Sequence, residues 1–164
     1  MLFTGQVHRL GDNINTDYIL PGKYKFQSFD LGELLPHLFE DIDPGHYHKV
    51  HQGDILVAGR NFGCGSSREV APLLLQYAGY RAVIAQSLGR IFYRNAITIG
   101  LPVLNCETAA IKEGDRLQVD LVGGKVKIIE RELTFQTIPL PAFMLEILTF
   151  GGLVPLLEKK NKKF

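Results

Sequence analysis

Residues 55–69 read ILVAGRNFGCGSSRE, an apolar run followed by a glycine-rich turn that carries two serines and an arginine. The apolar run is typical of a buried β-strand, and a helical pattern follows the turn as far as Gly79. Gly63 and Gly65 permit backbone conformations that bring N–H groups close to a bound anion. Arg68 carries a planar guanidinium that suits a carboxylate. This strand, turn and helix start therefore predict a binding site for an acid.

The same turn also fits a purely structural interpretation. Ser66 and Glu69 have the S-x-x-E spacing of a capping box, in which each side chain satisfies an amide at the start of a helix. A cap needs neither the second serine nor the two glycines. The turn is not a phosphate-binding P-loop, because no lysine precedes the serines, and it lacks the G-x-S-x-G of a hydrolase elbow. Capping and anion binding both remain open at this point.

Strands and helices are predicted to alternate around the turn. The succession is strand 54–58, helix 67–78, strand 82–86, helix 90–99 and strand 101–104. Gly79 and Gly100 follow the two helices, where glycine commonly ends a helix. Such a succession predicts parallel strands with right-handed crossovers.

The flanking segments predict further elements of a mixed α/β fold. Pro36 is expected to shorten or kink the helix among them, and Gly123-Gly124 is expected to turn a β-hairpin. These elements are a strand over 3–10, a loop over 11–17, a helix over 30–40, a connection over 41–51, hairpin strands over 116–122 and 125–130, a strand over 133–138 and a helix over 142–150.

Composition predicts one soluble globular domain that spans residues 1–164. The chain is 46% hydrophobic and 21% charged, with a net charge of +1, which suggests neither nucleic acid nor a membrane as a partner. No membrane span or signal peptide is visible, and the two cysteines form no disulfide framework. We therefore expect a cytoplasmic protein with a solvated, frayed tail at Lys159–Lys163.

Four ordered motifs resemble one family. The turn at 61–69, followed by Ala71-Pro72, resembles the serine loop of isopropylmalate dehydratase small subunits and homoaconitases, which correspond to the mobile C-terminal domain of aconitase. The other motifs are G-D-N-I-N-T-D at 11–17, I-F-Y-R-N at 91–95 and G-G-L at 151–153. The resemblance covers nearly the whole chain. It implies an α/β fold, a swivelling β/β/α domain like the aconitase C-terminal domain.

The resemblance also implies a reaction and the residues that perform it. Members of the family move a hydroxyl between adjacent carbons of a malate-type acid by dehydration and rehydration. Ser66 would be the catalytic base, Ser67 and Arg68 would bind a substrate carboxylate, and Asp17 would support the site. A plain turn or helix-start role for Asp17 remains open beside this one. An alkoxide at Ser66 would need positive potential from the loop amides, the helix N-terminus and Arg68.

A metal cofactor is implied for a partner chain. The Lewis acid of this family is one iron of a [4Fe–4S] cluster, and such clusters typically need at least three cysteines of one protein. This chain has only Cys64 and Cys106. The cluster is therefore expected on a separate large subunit, with which this chain would form a hetero-oligomer and without which it would be inactive. This chain itself is expected to hold no metal and to meet a small dicarboxylate substrate.

Substrate choice is predicted to depend on Phe26. In relatives, the third residue of the segment that corresponds to Tyr24–Gln27 contacts the group that distinguishes substrates. Homoaconitase-like members have arginine there, and isopropylmalate-type members have an apolar residue. Phe26 therefore predicts an apolar substituent, with 3-isopropylmalate of leucine biosynthesis as the favoured substrate. The alternatives 2,3-dimethylmalate, citramalate and homoaconitate remain open, as do core packing of Phe26 and a loop shifted so that Lys25 reaches in.

Three further interpretations remain open from sequence alone. Arg90 and Arg94, one helical turn apart, are expected to brace either the serine loop or a subunit interface. The histidines between 46 and 51 indicate either a metal site or, more simply, a solvated loop. A non-catalytic module that holds an anion through residues 63–68 is the rival to an enzyme subunit.

Overall fold

The structure is a computed structural model that describes residues 1–24, 28 and 30–161. Its described strands are β1 Leu2–Arg9, β2 Ile55–Ala58, β3 Ala82–Ala85, β4 Val103–Asn105, β5 Arg116–Asp120, β6 Lys125–Ile128 and β7 Leu133–Gln136. Its described α-helices are α1 Thr16–Ile19, α2 Leu31–Leu34, α3 Val70–Ala78, α4 Arg90–Thr98, α5 Ala142–Thr149 and α6 Leu153–Asn161. Short 3₁₀ turns cover Gly22–Tyr24, Leu35–His37 and His46–Lys49.

The seven strands form one sheet with a parallel half and an antiparallel half. Their order is β4-β3-β2-β1-β5-β6-β7, and β1 to β4 are parallel while β5 to β7 run as antiparallel neighbours. Every residue of β2 and β3 is buried, as expected for strands covered on both faces. The parallel order and the hairpin that the sequence predicted are both confirmed.

Strand β1 joins the two halves by pairing along different parts of its length. Residues 2–6 pair with β5, whereas Val7, His8 and Arg9 pair with β2. A Cβ at Gly5 would overlap the carbonyl oxygen of Gly53, which precedes β2. Glycine is therefore needed in β1 next to the point where its pairing changes from β5 to β2. No local pattern of the sequence indicated this double pairing.

Helix α3 begins later than the sequence suggested, and the capping box is wrong. The N-terminal cap of α3 is Glu69, with no capping hydrogen bond from its side chain, and Val70 is the first helical residue. The predicted start at residue 67 fails because tertiary contacts hold the preceding segment outside the helix. The carbonyl of Ser66 accepts a hydrogen bond from Thr16, and Arg68 is drawn toward Leu20. The serines are therefore loop residues and not helix caps.

Pro36 acts as the sequence predicted. The expected helix over 30–40 is reduced to α2 and the 3₁₀ turn Leu35–His37, which has Pro36 near its start. Asp30 caps α2, since its Oδ1 accepts a hydrogen bond from the Gly32 amide at 2.7 Å.

One of the loop histidines lies in the core. His46 is 3% exposed, and its ring bonds to Asp43 at 2.8 Å and to the Tyr80 hydroxyl at 2.6 Å. His8, which is also buried, bonds to Asp54 at 2.8 Å, and its ring packs edge-on against that of His46. The expectation of a solvated loop is therefore wrong for His46, whose hydrogen bonds replace those of water.

The C-terminal segment is more ordered than a frayed tail. Helix α6 includes Lys159 and Lys160, and Nζ of Lys160 donates to Glu146 of α5 at 3.1 Å. A Cβ at Gly100 would lie 2.5 Å from the carbonyl carbon of Gly151, so glycine is needed where the end of α4 meets the turn between α5 and α6. Residues 162–164 are outside the described part of the chain. No helix among the described residues combines the length and apolar composition that crossing a membrane requires.

Candidate functional site

Two of the sequence motifs run side by side beyond the ends of parallel strands. The loop 11–17 follows β1, and residues 59–69, which include the serine loop 61–69, follow β2. Four backbone hydrogen bonds join them: Gly59 N to Gly11 O at 3.1 Å, Asn13 N to Arg60 O at 2.7 Å, Gly63 N to Ile14 O at 2.7 Å and Thr16 N to Cys64 O at 2.9 Å. This edge of a parallel sheet is where ligands bind in open α/β folds.

The segment between β3 and α4 completes the arrangement. Phe62, which is fully buried, donates its amide to Ser87 O at 3.0 Å and accepts from Gly89 N at 2.8 Å. Its ring packs edge-on against Phe92 with centroids 5.2 Å apart. Gly63 has φ +70°, and a Cβ there would lie 2.6 Å from Cβ of Phe92. Glycine at position 63 thus lets the serine loop lie directly on the start of α4.

The serine loop is held through its backbone, and its serine hydroxyls and several of its backbone amides have no hydrogen-bond partner among the described residues. Ser66 and Ser67 are exposed, and neither hydroxyl bonds to another described residue. Thr16, only 2% exposed, donates from Oγ1 to the Ser66 carbonyl at 3.0 Å. Within the described chain, none of the backbone N–H groups from Gly65 to Glu69 has a hydrogen-bond acceptor. Consecutive free amides form a concavity that favours an anion.

Thr16 is the residue that the sequence analysis missed. Its motif was recognised, but no role was assigned to the threonine next to Asp17. The signal was the threonine of G-D-N-I-N-T-D, whose partner lies fifty residues away in the chain.

Arg68 and Asp17, which the resemblance assigned to the same site, form an ion pair. Nη2 of Arg68 donates to Oδ1 of Asp17, and Nη1 donates to the Leu20 carbonyl at 2.7 Å. The Arg68 side chain is 8% exposed and that of Asp17 is 54% exposed. Nε of Arg68 is buried with no hydrogen-bond partner among the described residues. Asn15 and not Asp17 caps α1, by accepting from the Tyr18 amide at 3.0 Å.

The predicted substrate residue Phe26 lies outside the described residues. The turn that leads toward it, Pro21-Gly22, is described and contacts the ion pair. A Cβ at Gly22 would be 3.0 Å from Oδ1 of Asp17 and 3.2 Å from Nη2 of Arg68. Gly22, four residues before Phe26 in the chain, thus lies directly beside the Asp17–Arg68 pair.

An open cleft of about 630 Å³ lies between the serine loop and the start of α4. Gly63, Cys64 and Gly65 line one wall. Arg90 and Arg94, in the first five residues of α4, line the other. The cleft therefore combines free amides nearby with two cationic side chains.

The described residues contain no group of three His, Cys, Asp or Glu side chains able to hold a metal ion. Cys64 is half-buried at the cleft, and Cys106 is buried. Burial, with a smaller contribution from the Glu107 carboxylate, raises the pKa of the Cys106 thiol to about 11, which disfavours the thiolate that binds metals.

Comparison with known proteins gives consistent matches over nearly the whole chain. The family model of the aconitase C-terminal domain matches residues 26–109. The 3-isopropylmalate dehydratase small subunit of Caldicellulosiruptor saccharolyticus is 48% identical, over 99% of this chain and 95% of that protein. The methanogen homoaconitase small subunit of Methanothermobacter thermautotrophicus is also 48% identical, over 93% of this chain and 89% of that protein.

A solved structure agrees in fold as well as in sequence. The crystal structure of 3-isopropylmalate dehydratase from Methanocaldococcus jannaschii superposes with a TM-score of 0.92 at 43% identity, and the match covers 98% of this chain and 96% of that one. This likeness confirms the fold class that the motifs implied.

Proposed function

Because the chain belongs to the aconitase C-terminal domain family, we propose that it is the small subunit of a hydro-lyase that isomerises a 3-alkylmalate. The reaction we propose is the interconversion of 3-isopropylmalate and 2-isopropylmalate, in leucine biosynthesis in the cytoplasm. The observation that carries the proposal is an exposed Ser66 on a loop whose amides from Gly65 to Glu69 have no acceptor within the described chain.

Ser66 is the base in this proposal. It takes the proton from the carbon next to a substrate carboxylate, and the resulting negative charge spreads onto that carboxylate. A serine hydroxyl is a weak base in water, so its alkoxide requires a fixed positive environment. The free loop amides and the N-terminus of α3, which begins four residues later, provide one. The hydroxyl of Thr16 donates a hydrogen bond of 3.0 Å to the Ser66 carbonyl. This bond holds the loop and leaves the Ser66 hydroxyl without a partner in the described part of the chain.

Ser67 and Arg68 bind the substrate carboxylate, and Asp17 positions Arg68. The two hydrogen bonds of Arg68 use one N–H from each of Nη1 and Nη2. Three of its five N–H donors therefore remain for a substrate carboxylate, and one of them is the N–H of Nε, which has no partner among the described residues. Holding a buried guanidinium in one orientation removes the entropic cost of ordering it when substrate binds.

The iron–sulfur cluster belongs to the large subunit in this proposal. The described residues of this chain offer no set of three ligands for one. When bound on the partner, such a cluster supplies the Lewis acid for the leaving hydroxyl. This chain contributes the base and the carboxylate-binding groups, so each chain alone carries half of a site.

The substrate assignment depends on Phe26 and not on overall identity. A relative named for isopropylmalate and one named for homoaconitate have the same 48% identity to this chain over their matched residues. A phenyl ring beside a second substrate carboxylate would leave a buried charge unpaired, which costs several kcal/mol. Phe26 therefore favours an alkyl substituent. The smaller alkylmalates, 2,3-dimethylmalate and citramalate, are the competitors to test.

The test is anaerobic reconstitution with the purified, cluster-loaded large subunit from the same organism. We expect turnover of 3-isopropylmalate only when both chains are present. Ser66→Ala should lower kcat by about 10²- to 10⁴-fold, the usual contribution of a general base, with little change in subunit association. Thr134→Val, which removes an exposed hydroxyl from β7, is the matched control and should leave kcat unchanged.

Three outcomes would each contradict a part of the proposal. No turnover of any alkylmalate with an active partner would remove the assigned reaction. Full activity of Ser66→Ala would remove Ser66 as the base while leaving the substrate assignment intact. Faster turnover of homoaconitate than of 3-isopropylmalate would contradict the role of Phe26.

A further inference from the structure

The first turns of α4 expose two arginines and an isoleucine on the wall of the cleft. Arg90, Ile91 and Arg94 all line it, opposite the serine-loop glycines. Both arginines are exposed, and Ile91 is 41% exposed. Arg90 and Arg94 are four residues apart in a helix, so they project on the same side. We call these three residues the α4 patch.

The α4 patch carries charge that the described chain does not neutralise. Neither arginine lies within 4.0 Å of a carboxylate among residues 1–24, 28 and 30–161, a property that four other arginines share. What distinguishes Arg90 and Arg94 is that both line the cleft, one helical turn apart. Two cations one turn apart repel each other, and the positive end of a helix dipole disfavours cations in its first turn. The isolated chain thus holds an arrangement that an external anionic group would relieve.

The α4 patch is also continuous with a half-site that another chain must cover. Its cleft shares a wall with Gly63, Cys64 and Gly65, directly before Ser66. A half-exposed isoleucine flanked by arginines matches protein interfaces, in which aliphatic contacts are surrounded by arginine-rich polar rims. A small dicarboxylate alone would satisfy the arginines but would leave Ile91 exposed to solvent.

We propose that the α4 patch is a docking surface for the iron–sulfur large subunit, through acidic side chains placed around an apolar contact. This inference rests on the proposed function, because it takes the large subunit as the partner. Docking here would bring the partner's half of the site over Ser66. It would also make subunit association sensitive to salt, since exposed ion pairs are screened.

The test measures association without turnover. The cluster-loaded large subunit is titrated with this chain anaerobically, in the absence of substrate, at low and at high salt. Arg90→Glu and Arg94→Glu should each weaken binding at least tenfold at low salt, and Ile91→Ser should weaken it at both salt concentrations. Arg116→Glu, an equal charge reversal at an exposed residue of β5, is the matched control and should bind within twofold of the unaltered chain.

Each outcome separates the interface from the proposed function. Unchanged dissociation constants for all three α4 variants, with the unaltered chain binding normally, would overturn the docking surface and leave the function standing. The same would follow if association were unchanged but the KM for 3-isopropylmalate rose in the arginine variants, because the cleft would then face substrate. Failure of the unaltered chain to bind the large subunit would overturn both. Melting temperatures of the variants, together with the milder Arg90→Gln and Arg94→Gln, distinguish lost contacts from misfolding.

Discussion

Replacing Asp17 by Asn should destabilise this chain by removing the carboxylate that faces Arg68. The burial of the two side chains sets an upper and a lower limit for the loss in the free energy of unfolding. A fully buried cation left without its partner costs about 3–5 kcal/mol, whereas an exposed pair contributes about 0–1 kcal/mol. The Arg68 side chain is 8% exposed but that of Asp17 is 54% exposed, so water screens one side of the pair.

We therefore expect a loss of about 1–2 kcal/mol in the free energy of unfolding. Asparagine keeps an acceptor oxygen for Nη2 of Arg68, and the bond from Nη1 to Leu20 remains. The change thus removes mainly charge. For a chain of this length, the loss corresponds to a fall of roughly 2–8 °C in melting temperature.

The assay is urea unfolding of the isolated chain for Asp17→Asn, Arg68→Gln and the double variant. Asp41→Asn is the control, because Asp41 is exposed and has no ion pair among the described residues. If Asp17 holds Arg68, the two single changes will not add. A coupling energy below about 0.3 kcal/mol, within ordinary additivity error, would refute the ion pair as the element that positions Arg68.

Three further predictions follow from single residues. Gly63→Ala should lower the free energy of unfolding by about 2–4 kcal/mol, because φ is +70° there and the new methyl group would clash with an aromatic ring of α4. Gly114→Ala is the control in the same urea assay. It should cost only about 1–2 kcal/mol, because φ is +78° but no atom lies within 4 Å of the new methyl group. Thr16→Val should lower kcat more than it raises KM in the reconstituted enzyme, because the Ser66 carbonyl loses its 3.0 Å bond; equal activity would contradict this. Burial lowers the pKa of His46 below its usual 6.5, although a bond to a carboxylate opposes this. The unfolded chain therefore binds the proton more readily, so stability should fall as the pH drops below about 6.5, with a shallower fall in His46→Gln.

The family of this chain could be predicted from its sequence because several motifs agreed. The serine loop alone left a capping box and an anion site equally open. Its combination with the motifs at 11–17, 91–95 and 151–153 identified the family that the comparisons confirm. The assignment of Ser66, Ser67, Arg68, Asp17 and Phe26 to particular roles stays a prediction until the variants are measured.

The elements that depend on neighbours in the chain were predicted well. The alternation of strands and helices from β2 to β4, the hairpin at Gly123-Gly124 and the shortening at Pro36 all follow from periodicity and turn residues. These signals act over a few residues, because apolar spacing, a missing amide or a permitted positive φ is a local property.

What the sequence by itself determined is thus the α/β order of elements, the family and the residues that could carry the chemistry. Tertiary structure alone decided that β1 divides its pairing between β2 and β5, that α3 begins at Val70, and that His46 lies in the core. It also decided that Thr16 supports Ser66, a contact between residues fifty positions apart. The physical reason is that such contacts depend on which groups, distant in the chain, compete for the same hydrogen bonds and the same buried space. This competition produces no periodic pattern in the sequence.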